Sequence, residues 1–270
     1  MKVIILAAGQ GTRLRPLTDS CPKCMVRVDG KSIIERQLDT MRSCGIEEED
    51  ITIVAGYCSD VLKGHLKGTG IQIIVNKEYE VTNMVCSLMC AGEILEEAGD
   101  VLVSYGDIIY GKPVLQRILD SEEEMSVVVD DGWYGYWSER CDNPLDDAET
   151  LMYNEDGCLT EIGQKTTDIS RVQSQYIGLM RFRGQGLKAL LAVSGEAKRR
   201  TGHGEKLWRT DRDYRGMYMT DLLQGMIDEG YLLKAVHIQR GWYEVDDVDD
   251  LKLAERQIKA CWGDSKYGFN

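Results

Sequence analysis

The first 130 residues alternate between short apolar runs and segments with helical spacing, and this alternation restricts the fold more than any other feature of the chain. Apolar runs predict buried strands over Lys2–Ala7, Ile51–Ala55, Ile71–Val75, Val101–Ser104 and Met125–Val129. The intervening segments predict helices over Ser32–Cys44, Ser59–Leu66, Asn83–Glu97 and Lys112–Leu119. Strands that alternate with helices form mostly parallel sheets with helices on both faces. We therefore expect an α/β fold with a Rossmann-like sheet.

Residues 131–216 differ from this pattern, because they are richer in Trp, Tyr and turn residues. Strand candidates follow one another here over Glu149–Asn154, Leu159–Ile162 and Gln175–Phe182. The turn Asn154–Gly157 favours a hairpin, which predicts a small antiparallel lobe. A helix over 185–198 follows, and then helix, strand and helix over 217–228, 232–238 and 248–261. We expect one domain, in which 1–130 and 217–262 form the core and 131–216 forms the lobe.

The charge balance excludes several classes of function. The chain has 45 Asp and Glu residues against 32 Lys and Arg residues, for a net charge of −13. General nucleic-acid and anionic-membrane surfaces need clustered cations, so neither is expected. No apolar run approaches the length of a membrane span, and the first strand is too short for the apolar part of a signal peptide. We expect a cytoplasmic protein whose nine cysteines are reduced thiols.

A glycine-rich turn follows the first strand, in the run LAAGQGTRLRPLT over Leu6–Thr18. Backbone N–H groups of a turn without bulky side chains can approach phosphate oxygens closely. A dinucleotide fingerprint would have glycine at Leu14 and a P-loop would have glycine at Met25, so neither motif is present. Arg13 and Lys23 add cations that suit a triphosphate. A surface loop paired with nearby acids explains the turn equally well.

Three acids are candidates for a metal site. Asp107 follows the strand Val101–Ser104, at the carboxyl edge where open α/β sheets bind ligands. Alternation in a strand points Glu244 and Asp246 to the same side. Carboxylates suit Mg²⁺, which offsets the charge of a triphosphate. Taken alone, turn or helix-capping roles explain these acids better than a metal site does.

The glycine-rich turn resembles the signature of the sugar-nucleotidyltransferase superfamily, A-A-G-x-G-[ST]-R-[LM]-x-P-L-T followed by P-K. These enzymes transfer a nucleoside monophosphate to a phosphorylated acceptor and release pyrophosphate. The resemblance implies that Arg13 and Lys23 bind the triphosphate, and it favours Asp107, Glu244 and Asp246 as the Mg²⁺ ligands. It also implies a nucleotide site formed by Leu6, Ala7, Ala8, Gly9, Gly11, Thr12, Asn83 and Gly106.

Other segments resemble the cytidylyltransferase branch of this superfamily. Asn76–Tyr79, Thr82–Met84 and Ser87–Leu88 are similar to its N-x-x-Y…T-N-x-x-S-L element. Asn143–Leu145 and Gln175–Gly178 are similar to segments of CTP:phosphoglutamine cytidylyltransferases. The likeness implies CTP and a small phosphorylated or phosphonylated acceptor, used by a monomer or homodimer. We expect the acceptor to contact Arg140, Lys165, Tyr176 and Asp221.

Two alternative functions stay open at this point. One is a hexose-1-phosphate nucleotidyltransferase that uses UTP or dTTP, and the other is a nucleotide-sensing protein without catalytic activity. The aromatic stretch Trp133–Trp137 could form a cage for a quaternary ammonium group. Packing within the lobe explains this stretch better, because buried Trp and Tyr commonly pack their rings and keep a polar tip hydrogen-bonded.

Overall fold

The computed structural model describes residues 1–260, and a seven-stranded sheet lies at its centre. From edge to edge the strands are Lys234–Ile238, Met125–Asp130, Gln175–Arg183, Asp100–Tyr105, Lys2–Ala7, Ile51–Ala55 and Gln72–Val75. All run parallel except Gln175–Arg183, which is antiparallel to both of its neighbours. The expected α/β fold with a mostly parallel sheet is therefore confirmed.

Helices cover both faces of this sheet. In the described residues they span Ile33–Ser43, Ser59–His65, Met84–Met89, Gly92–Glu97, Lys112–Leu119, Trp133–Arg140, Gly184–Gly202, Met219–Asp228 and Val248–Ala260. Alternate residues of the first strand belong to different apolar clusters: Val3 and Ile5 pack on one face, and Ile4 and Leu6 pack on the other. A strand buried on both faces reads as a continuous apolar run, as the sequence of this strand does.

Three short antiparallel ladders accompany the main sheet. Glu149–Tyr153 pairs with Leu159–Lys165 through the predicted hairpin turn, and this hairpin packs against the helix Met219–Asp228. Trp242–Glu244 pairs with Ile108–Tyr110 at the carboxyl edge of the main sheet. The third ladder joins Arg27–Val28 to Lys31–Ser32.

Two predicted elements differ in the structure. Gln175–Phe182 was expected in the lobe, but the strand Gln175–Arg183 lies inside the main sheet, where nearly all of its residues are buried. The predicted helix Asn83–Glu97 is two helices, which Cys90 and Ala91 separate. The division of the chain into a core and a lobe stays a prediction, and residues 261–262 lie outside the described residues.

The aromatic stretch forms the helix Trp133–Arg140 instead of a turn. Trp133, Tyr136 and Trp137 are buried, and both Tyr136 and Trp137 pack against the ring of Trp242. The rings are packed as expected, but against Trp242 and the main apolar cluster, which lie outside residues 131–216, and not within the lobe. Tyr136 also has a polar role, because its hydroxyl accepts a hydrogen bond of 2.9 Å from the backbone N–H of Glu244.

Asp130 holds together the segment that leads to Glu244. Its side chain is completely buried at the end of the strand Met125–Asp130. Its carboxylate accepts hydrogen bonds of 2.8 Å from the backbone N–H and a guanidinium N–H of Arg240, and of 2.8 Å from the indole of Trp242. It also accepts a bond of 2.9 Å from the backbone N–H of Gly132. A buried carboxylate is stable only when it is paired and hydrogen-bonded in this way.

We predict that Asp130→Ala lowers the free energy of unfolding by about 3–5 kcal/mol, because Arg240 loses its buried counter-ion. Chemical denaturation monitored by circular dichroism measures this change. Asp60→Ala serves as the control, since it removes only the surface ion pair with Lys63, which is worth about 1 kcal/mol or less. Equal effects of the two substitutions would contradict the prediction.

Candidate active site

Contacts with neighbouring residues fix the conformation of the glycine-rich turn. Gly11 has φ of 63°, and a Cβ atom there would lie 2.9 Å from the Cβ of Lys23. The hydroxyl of Thr18 donates a hydrogen bond of 2.8 Å to the carbonyl oxygen of Gly11. A Cβ at Gly9 would meet no atom within 4 Å. The turn is therefore packed at Gly11 and open at Gly9, where backbone N–H groups can face a ligand.

A cavity of about 150 Å³ opens beside this turn. Its walls come from the first strand, the turn, the segment around the helix Met84–Met89, and the end of the strand Asp100–Tyr105. The lining residues are Leu6, Ala8, Gly9, Tyr79, Thr82, Asn83, Met84, Ser87, Tyr105 and Asp107. Four of the predicted nucleotide-site residues are among them. The other four line neither this cavity nor the larger cavity described below; they are Ala7, Gly11, Thr12 and Gly106.

The acids converge because of the short ladder at the sheet edge. Glu244 pairs with Ile108, the residue after Asp107, and the backbone N–H of Val245 donates a hydrogen bond of 3.0 Å to the carbonyl oxygen of Asp107. One carboxylate oxygen from each of Asp107, Glu244 and Asp246 lies within 4.8 Å of the others. The structure thus brings together the three acids that the sequence selected.

Two cations neutralise this cluster, Arg13 from the glycine-rich turn and Lys23 from the short helical turn Lys23–Met25. The ammonium group of Lys23 donates a hydrogen bond of 2.8 Å to Asp107 and also bonds to Asp246. The guanidinium group of Arg13 lies 2.8 Å from the other carboxylate oxygen of Asp246. Lys23 is nearly buried, whereas 65% of the Arg13 side chain is exposed. Arg13 is therefore the more accessible of the two cations.

Arg140 approaches the same cluster from the opposite side. Its guanidinium group binds both carboxylate oxygens of Asp250, at 2.8 and 3.1 Å, and lies 3.0 Å from Glu244. Its side chain is buried and does not line the larger cavity described below. The expected contact of Arg140 with an acceptor therefore finds no support in this geometry, because its guanidinium group is buried against Asp250 and Glu244.

Burial acts to raise the pKa of Glu244 and of Asp246, whereas the neighbouring cations act to lower it. Burial, and then the Asp246 carboxylate, raise the pKa of Glu244 to about 8. Burial opposes the ionisation of Asp246 too, but Lys23 and Arg13 hold the pKa of Asp246 below its ordinary value. Burial likewise opposes the charge of Lys23, yet Asp107 and Asp246 outweigh it and raise the pKa of Lys23. Binding of a cation would displace the proton of Glu244.

The cluster fits a divalent cation. Asp107 Oδ1 is buried and has no hydrogen-bond partner among residues 1–260, so one ligand oxygen is left unsatisfied. Three converging carboxylates offer the hard oxygen ligands that Mg²⁺ takes in proteins. The residues present could therefore bind a metal ion.

A larger cavity, of about 410 Å³, adjoins the first one, and Met84 and Tyr105 line both. Arg13, Glu244 and Asp246 lie on its wall. The other lining residues are Trp137, Asp147, Glu149, Lys165, Gln175, Tyr176, Ile177, Gly178, Arg212, Tyr218, Thr220 and Trp242. Of the predicted acceptor residues, Lys165 and Tyr176 therefore face this cavity.

Asp221 does not line the cavity, although the sequence predicted a contact with the acceptor. Its carboxylate accepts a hydrogen bond of 2.8 Å from the backbone N–H of Tyr218 and lies 3.2 Å from the guanidinium group of Arg212. Asp221 thus caps the helix Met219–Asp228 and binds Arg212. Arg212 reaches the cavity in its place.

Sequence reasoning missed several lining residues. Tyr79, Thr82, Met84 and Ser87 belonged to the segments that resembled the cytidylyltransferase branch, so the motif itself was the available signal. Glu149 belongs to Asp147–Leu151, a segment that is similar to the CTP:phosphoglutamine cytidylyltransferases, but the sequence alone does not show that this side chain lines the larger cavity.

Comparison with known proteins identifies the class as nucleotidyltransferase. The chain belongs to the MobA-like NTP transferase domain family, whose profile matches residues 3–201. Its relatives place it among the cytidylyltransferases. The CTP:phosphoglutamine cytidylyltransferase of Campylobacter jejuni is 39% identical over 258 residues, which cover 94% of this chain and 98% of that protein.

Two further comparisons give a more distant relative and a structure of similar fold. The 2-aminoethylphosphonate cytidylyltransferase of Lancefieldella rimae is 26% identical over 206 residues, 76% of each chain. The structure of the CTP:phosphocholine cytidylyltransferase of Streptococcus pneumoniae superposes with a TM-score of 0.68 at 23% identity, over 95% of this chain and 98% of that one. The latter likeness concerns the fold. Among the helices of residues 1–260, none is long and apolar enough to cross a membrane.

We predict that Asp107→Asn weakens binding of a divalent cation by about tenfold or more, because the cluster loses one of its anionic ligands. Titration with Mn²⁺ in the absence of nucleotide, followed by calorimetry, measures the affinity. Asp60→Asn is the control, since Asp60 is 93% exposed on a helix outside the cluster. Unchanged Mn²⁺ affinity in Asp107→Asn would show that the cation binds elsewhere.

Proposed function

We propose that the protein transfers CMP from CTP to a small phosphorylated or phosphonylated acceptor and releases pyrophosphate, with Mg²⁺ as its cofactor. The observation that supports this most strongly is the position of the acids between two adjoining cavities. Asp107 lines the smaller cavity, and Glu244 and Asp246 line the larger one. A transferase needs this arrangement, since its two substrates must meet at one charged centre. We retain the expectations of a cytoplasmic location and of a monomer or homodimer as predictions.

In this proposal the smaller cavity holds the nucleotide. Gly9 leaves room for the phosphates, and Leu6, Ala8 and Asn83 contact the nucleoside. The cytidylyltransferase relatives favour CTP over the other nucleotides. Mg²⁺ bound by the three acids would supply positive charge that offsets the phosphates.

The acceptor occupies the larger cavity, where an oxygen of its phosphate or phosphonate attacks the α-phosphorus of CTP. A bond forms between this oxygen and the α-phosphorus, while the bond from the α-phosphorus to the bridging oxygen breaks. Pyrophosphate leaves with the electron pair. The attacking oxygen is already ionised at neutral pH, so the reaction requires no general base, and positioning and charge stabilisation account for the catalysis.

Arg13 and Lys23 stabilise the charge that develops on the leaving pyrophosphate. Arg13 is the better placed of the two, because its side chain is largely exposed beside the open turn. Lys165 binds the acceptor phosphate, with Tyr176 on the same cavity wall. The relatives named above act on phosphoglutamine and 2-aminoethylphosphonate, which suggests a small acceptor of this size.

A screen of pyrophosphate release tests the proposal. CTP, UTP, dTTP and ATP would each be combined with phosphoglutamine, 2-aminoethylphosphonate, phosphocholine and glucose 1-phosphate, with and without Mg²⁺. We expect release with CTP and a non-sugar acceptor, and loss of release with EDTA. Preference for UTP or dTTP with the sugar phosphate would identify the alternative enzyme. No turnover with any pair would favour the nucleotide sensor.

We predict that Arg13→Gln lowers kcat by about 10²–10³, because a charged donor to the leaving group is lost. Arg15→Gln is a matched control on the same turn, since Arg15 is also exposed and forms a surface ion pair with Asp19, at 3.6 Å. Steady-state kinetics with saturating acceptor measure both variants. Similar losses in the two would mean that the turn merely attracts the nucleotide by its overall charge.

A further inference from the structure

Gln37 is a buried polar residue to which the reaction proposed above gives no role. It lies on the helix Ile33–Ser43, and its side chain is completely shielded from water. Its amide nitrogen donates hydrogen bonds of 2.8 Å to the carbonyl oxygen of Tyr105 and of 2.6 Å to that of Ile108. These two residues stand on either side of the Gly106–Asp107 turn. One amide group therefore bridges this turn from strand to strand.

The neighbours of this amide determine its orientation. Two carbonyl oxygens face it, so the atom between them must be the nitrogen, which has two N–H groups. The amide oxygen in turn accepts a hydrogen bond of 3.3 Å from the hydroxyl of Ser104. The hydroxyl of Ser104 is also 3.3 Å from that of Tyr110, and both residues are buried. Contacts with both strands next to the turn therefore hold Gln37 in one orientation.

The turn is also bound on its two other sides. The backbone N–H of Gly106 donates a hydrogen bond of 2.8 Å to the carbonyl oxygen of Leu6 in the first strand. The carbonyl oxygen of Asp107 accepts the hydrogen bond from Val245 that was described above. With the two carbonyl groups that Gln37 binds, each of the four residues from 105 to 108 has a hydrogen-bonded backbone group.

The carboxylate of Asp107 depends on this backbone for its position. Its Oδ2 atom accepts a hydrogen bond from Lys23, but its buried Oδ1 atom has no hydrogen-bond partner in residues 1–260. In the proposed reaction Lys23 binds the phosphates of the nucleotide, so this one contact is given up. The direction of the carboxylate is then set by the turn to which it is attached.

We propose that Gln37 is a positioning residue for the metal site, and that its amide group holds the Gly106–Asp107 turn so that the Asp107 carboxylate faces Glu244 and Asp246. This inference rests on the proposed function, because it assigns Gln37 to the metal cluster of that function. Residues that orient a metal ligand without touching the metal commonly change metal affinity by about 10- to 100-fold when they are replaced. Gln37 acts on its ligand through main-chain carbonyl groups.

Gln37→Met tests the proposal, because methionine has a side chain of similar length but cannot donate a hydrogen bond to either carbonyl group. Titration with Mn²⁺ in the absence of nucleotide, followed by calorimetry, measures the affinity of the folded variant. We expect the affinity to weaken by about tenfold or more. In turnover, the Mg²⁺ concentration that gives the half-maximal rate should rise by a similar factor, while the KM for the acceptor stays near the wild-type value.

Gln224→Met is the matched control. Gln224 is also buried, on the helix Met219–Asp228, and its side-chain oxygen accepts a hydrogen bond of 2.9 Å from the backbone N–H of Ile162. Both substitutions therefore remove a buried amide that satisfies a backbone group, and both should lower the midpoint of thermal unfolding. Only Gln37→Met should weaken Mn²⁺ binding, since the groups that Gln224 binds belong to the hairpin and to its own helix.

A second variant keeps the test decisive if Gln37→Met does not fold. Gln37→Asn retains an amide group, but its side chain is one methylene shorter and cannot reach both carbonyl oxygens at once. We expect this variant to weaken Mn²⁺ binding by about threefold or more. The same comparison with Gln224→Met applies to it.

The outcomes separate this proposal from the proposed function. Wild-type affinity for Mn²⁺ in the folded Gln37 variant, or an equal loss of affinity in Gln224→Met, would overturn the positioning role while the metal site stands. Absence of Mn²⁺ binding in the wild type would overturn the metal site and the role of Gln37 together. Absence of CTP turnover in a wild type that binds Mn²⁺ would overturn the proposed function, while the binding measurements still decide the role of Gln37.

Discussion

The contact of Lys23 with Asp107 and Asp246 is the interaction on which the rest of the site depends. Three carboxylates within 4.8 Å of one another repel strongly when they are partly removed from water. Lys23 links the acid that follows a central strand to an acid from near the end of the described chain. Arg13 and Arg140 each add a second contact to the cluster. Charge balance therefore acts together with apolar packing where these distant segments meet, since Ile108–Tyr110 and Trp242 belong to the same buried cluster.

Backbone pairing then sets the geometry that the charges stabilise. The ladder between Ile108–Tyr110 and Trp242–Glu244 places Glu244 beside Asp107, and Asp130 anchors the approach to this ladder through Arg240 and Trp242. The buried rings of the helix Trp133–Arg140 pack against the same segment. A site on strands and a packed helix keeps its ligands at defined separations better than a site on free loops would.

Local sequence patterns were sufficient to predict those strands and helices that can be recognised from their own apolar and capping residues. The run Lys2–Ala7 is apolar at every buried position, and the helix predicted from Ser32 begins there, with Ser32 and Glu35 forming its capping box. The direction and neighbours of Gln175–Arg183 were not predictable, because strand order is decided by contacts between distant segments. The prediction of site residues was limited in the same way. The motif identified Asp107, but the pairing of Asp221 with Arg212 depends on the position of the loop that carries Arg212, which the sequence does not specify.

The paired state of the cations and acids also explains how an acidic protein can accept a triphosphate. In the proposed reaction the phosphates would bind Arg13 and Lys23, and the carboxylates that these cations release would be free to hold Mg²⁺. Each buried charge exchanges one partner for another, so no charge is left uncompensated when the substrates bind.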